Sequence, residues 1–364
     1  KTISMPTSLI QIDNSAFEYC KNSMKIEFLI CSNLSAIGCY AFAKSSIETI
    51  LFPQSLEKIN EGTFYECDKL YKIVFPIDSN LKMIDNLAFC ESMIECISFP
   101  PSLKEIGKMA FFECRKLRYV EFPKNSNLSI IGKSAFCYSN IEHISIPSSL
   151  IEIREGCFGY CENLKNVEIP NDSKLQLISY FAFLSSSIER ISKIPKSTQI
   201  SEAAFINCKN LKSIEIAQDS DLQVIENALF CKSSIESFTI PIKVKYINEL
   251  AFFDCQQLKY IEISENSELC TINESAFSEA SIESISLPVH LKNIEKYAFC
   301  NCEQLKRVEI PTNSELRNIS YEAFSETSIE SFTIPVHLTK ISMHTFLNCV
   351  NLCHVEIPAN SELQ

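Results

Sequence analysis

Residues 299–311 read FCNCEQLKRVEIP, with Cys300 and Cys302 one residue apart and Lys306 and Arg307 just ahead of Glu309. Thiolates ligate zinc, and nearby cations lower a thiol's pKa, so the stretch has the residue types of a metal or redox site. Such sites normally place two residues between the cysteines and draw further ligands from elsewhere, and a C-x-C pair occurs here once. The five histidines are His143, His290, His337, His344 and His354, of which His290 and His337 recur in two copies of PVHL. The chain has no H-E-x-x-H, no G-x-S-x-G and no glycine-rich phosphate loop. The expectation is therefore no catalytic residue, no metal site and no cofactor. What remains is to find the elements that hold these residues.

Composition narrows the frame. At 364 residues the chain is longer than one globular core supports, which leaves two domains or an elongated array. A formal net charge of −12 argues against nucleic acid as a partner, because phosphate binding draws on clustered Lys and Arg. No apolar run approaches the roughly 18 residues of a membrane span.

A repeat organises the sequence. Phenylalanine stands at 17, 42, 64, 89, 111, 136 and on to 346, with gaps alternating 25 and 22 throughout. The unit is thus 47 residues, made of two related coils, typified by AFCYSNIEHISIPSSLIEI and FFECRKLRYVEFPKNSNLSII. In each coil an L/I-x-x-I-x-I run points three apolar side chains inward from a short strand, and the proline after it ends that strand. No single coil buries such a stripe, whereas stacked coils share a continuous core.

The segments SIPSSLIEIREGCFGYCENLKNVEIP and IESFTIPVHLTKISMHTFLNCVNLCHVEIP resemble the BspA-like (Treponema pallidum type) leucine-rich repeat in its cysteine-containing form, and the likeness covers essentially the whole chain. It implies a leucine-rich-repeat horseshoe of about fifteen coils. A parallel sheet would line its concave side, with irregular, short 3-10 or β segments outside. It also implies non-enzymatic surface proteins that bind host or matrix proteins. The expected organisation is one solenoid over residues 1–364, cut from a longer array at both ends, with 1–6 and 361–364 frayed or covered by a neighbour. One departure is IERISKIPKSTQI, where Lys193 adds a residue before Ile194-Pro195 and predicts a bulge.

The repeat reinterprets the cysteines. Three residues after alternate phenylalanines stand Cys20, Cys67, Cys114, Cys161, Cys208, Cys255, Cys302 and Cys349, with Ser, Thr or Ala at the same place in the coils between. At about 4.8 Å per coil, members of this column lie ~10 Å apart, beyond disulfide reach. They read as small buried hydrophobes, with Cys300 in a sparser column beside Cys90, Cys137 and Cys231. A diagonal bridge between neighbouring columns stays open on spacing alone.

Counting the inward Leu/Ile that opens each run as position 1, positions 2, 3 and 5 face outward. Position 2 alternates acid and base, as in Glu142, Lys165, Glu189 and Lys212, and predicts a ladder of neighbouring opposite charges. Position 5 alternates Ser or Thr with Glu. Position 3 follows no rule, which nominates Tyr119, His143, Arg190, Tyr260 and Arg307 as partner-binding residues. Two functions from different classes fit. The first is a non-enzymatic protein-binding module of a BspA-like surface or secreted protein, mediating adhesion to host, extracellular-matrix or partner proteins through the concave face. The alternative is an intracellular, cytoplasmic scaffold or regulatory interaction protein, favoured by unpaired thiols.

Overall fold

The computed structural model describes residues 2–22, 24–29 and 31–364, and among them no helix of any kind forms. They make two compact units, one running to Ile188 and the other from Glu189 to Gln364, each a parallel β-solenoid.

In the first unit the L-x-x-I-x-I runs become strands stacked in chain order, among them Ile47–Leu51, Lys72–Val74, Cys96–Ser98, Tyr119–Glu121, His143–Ser145 and Asn166–Glu168. Alternation fixes their faces: Val120 and Ile144 are buried while Tyr119, Glu121, His143 and Ser145 are exposed. A second parallel sheet stacks two-residue strands such as Lys58–Ile59, Met83–Ile84 and Glu105–Ile106, each pointing its isoleucine into the core. The second unit repeats both sheets, with Ser237–Ile240, Tyr260–Ile263, Ser284–Ser286 and Arg307–Glu309 in the longer one. The extra residue at Lys193 does what the sequence predicts. The register of Arg190–Ile194 against Ser213–Ile216 shifts between Ile191 and Ile194.

Within each unit the phenylalanine of one coil packs on that of the next. In the first unit Phe89, Phe111 and Phe136 are fully buried, with ring centroids 5.2 and 5.3 Å apart and planes within 11°. In the second, Phe252, Phe277 and Phe299 are spaced 5.0 and 5.3 Å and lie within 5° of parallel. At these spacings the rings are offset stacks, which add to the burial of large apolar surfaces.

The short 3-10 connections do not form, and the reason is in the backbone. Residues two before and two after the phenylalanine take left-handed φ, as at Tyr40 (55°) and Lys44 (56°) around Phe42, or Leu87 and Glu91 around Phe89. The resulting peptide flips split the N–H groups into two sets. Tyr40, Phe42 and Lys44 donate to the carbonyls of Glu61, Thr63 and Tyr65 in the next coil, while Ala41, Ala43 and Ser45 donate three residues back. A 3-10 turn would spend every N–H locally and leave the neighbouring coil's carbonyls unpaired in the core, which costs more than the left-handed strain. Glycine fills this role at Gly62 and Gly156; elsewhere residues as varied as Tyr, Leu, Lys, Glu, Met and Ser do.

The described part of 1–6 and the segment 361–364 carry backbone hydrogen bonds to neighbouring coils; Lys1 lies outside the described residues. Thr2–Met5 pairs in register with Met24–Phe28, and Glu362 and Gln364 donate their N–H groups to Val336 and Thr339 at 2.8 and 3.1 Å.

Candidate interaction surface

Cys302 is fully buried and gives its S–H to the carbonyl of Phe277 at 3.0 Å, and burial lifts its pKa far above the thiol range. Cys300, next to it on the turn, is buried and pushed up to about 11 by the same cause. Thiols held protonated in this way are poor ligands and poor nucleophiles. Among the described residues no group of three or more His, Cys, Asp or Glu is placed to hold a metal ion.

The same arrangement recurs along the column. Cys67, Cys114 and Cys161 donate to the carbonyls of Phe42, Phe89 and Phe136 at 3.1, 3.1 and 3.2 Å. Each also lies beside a hydroxyl of the preceding coil, Ser45, Ser92 and Ser139, at 3.7, 3.4 and 3.4 Å. The alternation of hydroxyl and thiol is thus a hydrogen-bonded pair. All eighteen cysteines are free thiols.

The outer face of the longer strands carries the proposed binding residues. In the first unit Tyr119 and His143 are direct neighbours in register, Tyr119 being 59% exposed, and Asn166 Nδ2 lies 3.0 Å from His143 Nδ1. In the second unit one strand, at Ser284, separates Tyr260 from Arg307, and two strands, at Ser213 and Ser237, lie between Arg190 and Tyr260. Tyr260 is 57% exposed. The five therefore form no single cluster within either unit.

Two columns differ from expectation. The charge ladder at position 2 stays mostly open: from Tyr71 to Glu330 the described pair that closes is Lys212–Glu236, and only to 3.9 Å. Side chains this long and exposed gain little by holding one geometry against solvent. At position 5, by contrast, short hydroxyls reach the carboxylate on the next strand. Ser98 donates to Glu121 at 2.7 Å, Thr239 to Glu262 at 2.9 Å and Ser286 to Glu309 at 2.6 Å. The Ser286 hydroxyl, and then Arg307 Nη1 at 3.5 Å, hold Glu309 below the usual carboxylate range. Reading residue types alone missed this hydroxyl–carboxylate row. The Ser/Thr–Glu alternation from Ser98 onward was the signal for it.

Parallel coils with a buried leucine and isoleucine ladder, a phenylalanine column and an exposed strand face define a leucine-rich-repeat protein. The chain belongs to the BspA-type leucine-rich-repeat family, whose model matches residues 1–118, 82–212, 177–285 and 223–353. Among solved structures it is similar to a leucine-rich repeat protein from Bacteroides ovatus, at 26% identity over 99% of this chain and 87% of that one, with a TM-score of 0.74. It also matches the pneumococcal vaccine antigen PcpA at 21% identity, over 99% of this chain and 79% of that one, with a TM-score of 0.45. A leucine-rich cell surface protein from Faecalibacterium prausnitzii matches at 22% identity, covering 77% and 84% of the two chains, with a TM-score of 0.39. No functionally curated protein matches the chain. No helix of the described residues is long and apolar enough to cross a membrane.

Proposed function

We propose that the chain is a non-enzymatic protein-binding module of a surface or secreted protein, mediating adhesion to host, matrix or partner proteins through the outer face of its longer strands. One observation carries this reading. On that face positions 1, 4 and 6 repeat because the core demands it, and position 5 repeats because its hydroxyls and carboxylates bond each other. Position 3, exposed from Lys72 onward and outside both of these repeating patterns, holds Tyr119, His143, Arg190, Tyr260 and Arg307 among smaller or polar residues. Tyr and Arg are the side chains that most often dominate binding energy, because they bring large contact area and directed donors.

Replacing Tyr119 and Tyr260 by alanine should weaken capture of a matrix or host protein by about 1 to 3 kcal/mol for each true anchor, with the melting temperature almost unchanged. Surface plasmon resonance against an array of matrix proteins, paired with thermal melts, checks both halves. A partner that ignores these changes but responds to alteration of Asn266 or Asn313, on the loops beyond the strands, would place binding elsewhere.

A further inference from the structure

Three successive coils of the first unit break the repeat together. The residue just before position 1 is Ser, Asn or Gln in every coil from Ser46 to Asn351, except at Lys69, Met93 and Lys116. In the same coils Tyr71 interrupts the charge alternation of position 2, and Cys96 stands at position 3 between Lys72 and Tyr119 on the adjoining strands. Position 5 leaves its Ser/Thr–Glu rule on the flank of this region, at Leu51 and Val74, both exposed. Unconstrained drift would scatter such departures over the array. Here they fall side by side.

Lys69, Tyr71, Met93, Cys96, Lys116 and Tyr119 line a shallow groove of about 600 Å³ on the strand face. Its apolar lining comes from Tyr71, Met93 and Tyr119, which are 42%, 39% and 59% exposed. Its charged lining is Lys69, Lys116 and Arg118 against Asp68 and Glu95, with Lys72 beside it. Among the described residues none of these four cations has a carboxylate within 4.0 Å, although the chain as a whole carries −12. The equivalent groove of the second unit also mixes charges, with Lys209 and Lys212 against Glu189 and Glu236, but has no large apolar side chain in its lining. It is lined by Asn210, Ser234 and Gln257, and its Lys212 is closed onto Glu236 at 3.9 Å.

We propose that this groove docks an extended acidic segment of a partner protein, one with a large apolar side chain set between carboxylates. The inference rests on the strand face being a protein-binding surface, and it names the class of partner. Arg118 offers a planar fork to a carboxylate with Lys116 on the same coil, Lys69 lies two coils earlier and Met93 stands on the coil between, so acids on both sides of a central side chain find cations. The central side chain covers Met93 and the tyrosine faces, apolar area that water otherwise keeps. A long polysulfated glycan fits less well. It has no apolar group for Met93, it meets Asp68 and Glu95 within the groove, and it runs on over the carboxylates of Glu121, Glu142 and Glu168.

The test uses the whole chain, an array of octapeptides with Phe, Tyr, Leu or Ile between paired Asp or Glu, a matched array with Asn and Gln in place of the acids, and heparin. Acidic–apolar peptides should bind, should shield Cys96 from N-ethylmaleimide in a peptide map, and should lose roughly tenfold in affinity with Arg118→Ala and with Met93→Asn. Lys69→Ser and Lys116→Asn, which restore the residues the column carries elsewhere, should weaken binding and flatten its salt dependence. The double variant Lys212→Ala, Lys259→Ala, which removes cations of the second unit's strand face, should leave peptide binding unchanged. Equal binding of the amide array, unshielded Cys96, or binding of heparin alone would overturn the groove inference. Should a protein bind through Tyr260 and Arg307 while no acidic peptide binds the groove, this inference falls and the wider reading stands.

Discussion

Phe111→Ala should lower the stability of the first unit by about 3 to 5 kcal/mol, the range of a large aromatic removed from a closed core. Phe111 is fully exposed to neighbours and not at all to water: Phe89 and Phe136 stack on its two faces at 5.2 and 5.3 Å, and Phe99 meets it edge-on at 5.7 Å. The stacked coils above and below cannot close the gap without breaking the strand and turn hydrogen bonds that set their spacing. In a solenoid each coil contacts only its neighbours, so the damage should also be local. Hydrogen exchange should show amides of the coils around residue 111 losing protection first, and urea unfolding should move to a lower midpoint. Phe181→Ala is the control. That side chain is 38% exposed, outside the ring column, and its loss should stay within roughly 0.5 kcal/mol. Equal effects from the two variants would mean that the ring column is not what couples the coils.

The second large effect appears at high pH. Burial pushes the thiols of Cys67, Cys114 and Cys161 from an ordinary 9.0 up to about 12, with the serine hydroxyls pulling weakly the other way. A raised native pKa means that the unfolded chain gives up its proton first. The thiols' contribution is therefore fully present below pH 9 and is lost progressively as the pH rises from 9 towards 12. Each thiol removes about 1.4 kcal/mol per pH unit in that window, so these three together cost the first unit about 4 kcal/mol at pH 10. Urea midpoints measured from pH 8 to 11 should fall steeply above 9. Cys67→Ser, Cys114→Ser and Cys161→Ser keep a donor for the phenylalanine carbonyls and should flatten the fall, separating it from tyrosine and lysine titration. At pH 8 the native protein should alkylate at Cys31, Cys96 and Cys353, which are exposed, and spare the column members from Cys67 to Cys302, which are buried, whereas Cys20 and Cys349 at its two ends are only half-buried. A slope unchanged by the serine variants would count against the thiols as its source.

The periodic part of this structure was open to reading because burial writes itself into spacing. The 25 and 22 alternation of phenylalanine, the inward L-x-x-I-x-I and the bulge at Lys193 all follow from which side chains must leave water. The turns around each phenylalanine were not legible, because the left-handed positions are held by Tyr40, Lys44, Leu87 or Met109. Hydrogen bonds to the next coil impose that conformation, so no glycine is needed to announce it. The surface was legible only by column. Position 3 could be singled out because it ignores the repeat. Lys69, Met93 and Lys116 escaped notice because a residue just outside the strand run gives no sign of which face it shares. The closed or open state of the position 2 charges depends on side-chain reach, and composition does not carry reach.

The hydroxyl–thiol pairing has a bearing on how such an array can change length. A thiol meets a hydroxyl 22 residues before it and a carbonyl 25 residues before it, as Cys114 meets Ser92 and Phe89. Losing or duplicating one coil would set thiol against thiol or hydroxyl against hydroxyl, and would break the alternation of short and long loops as well. Losing or duplicating two coils restores every contact. Recombination between copies is then tolerated in steps of 47 residues and penalised at half steps.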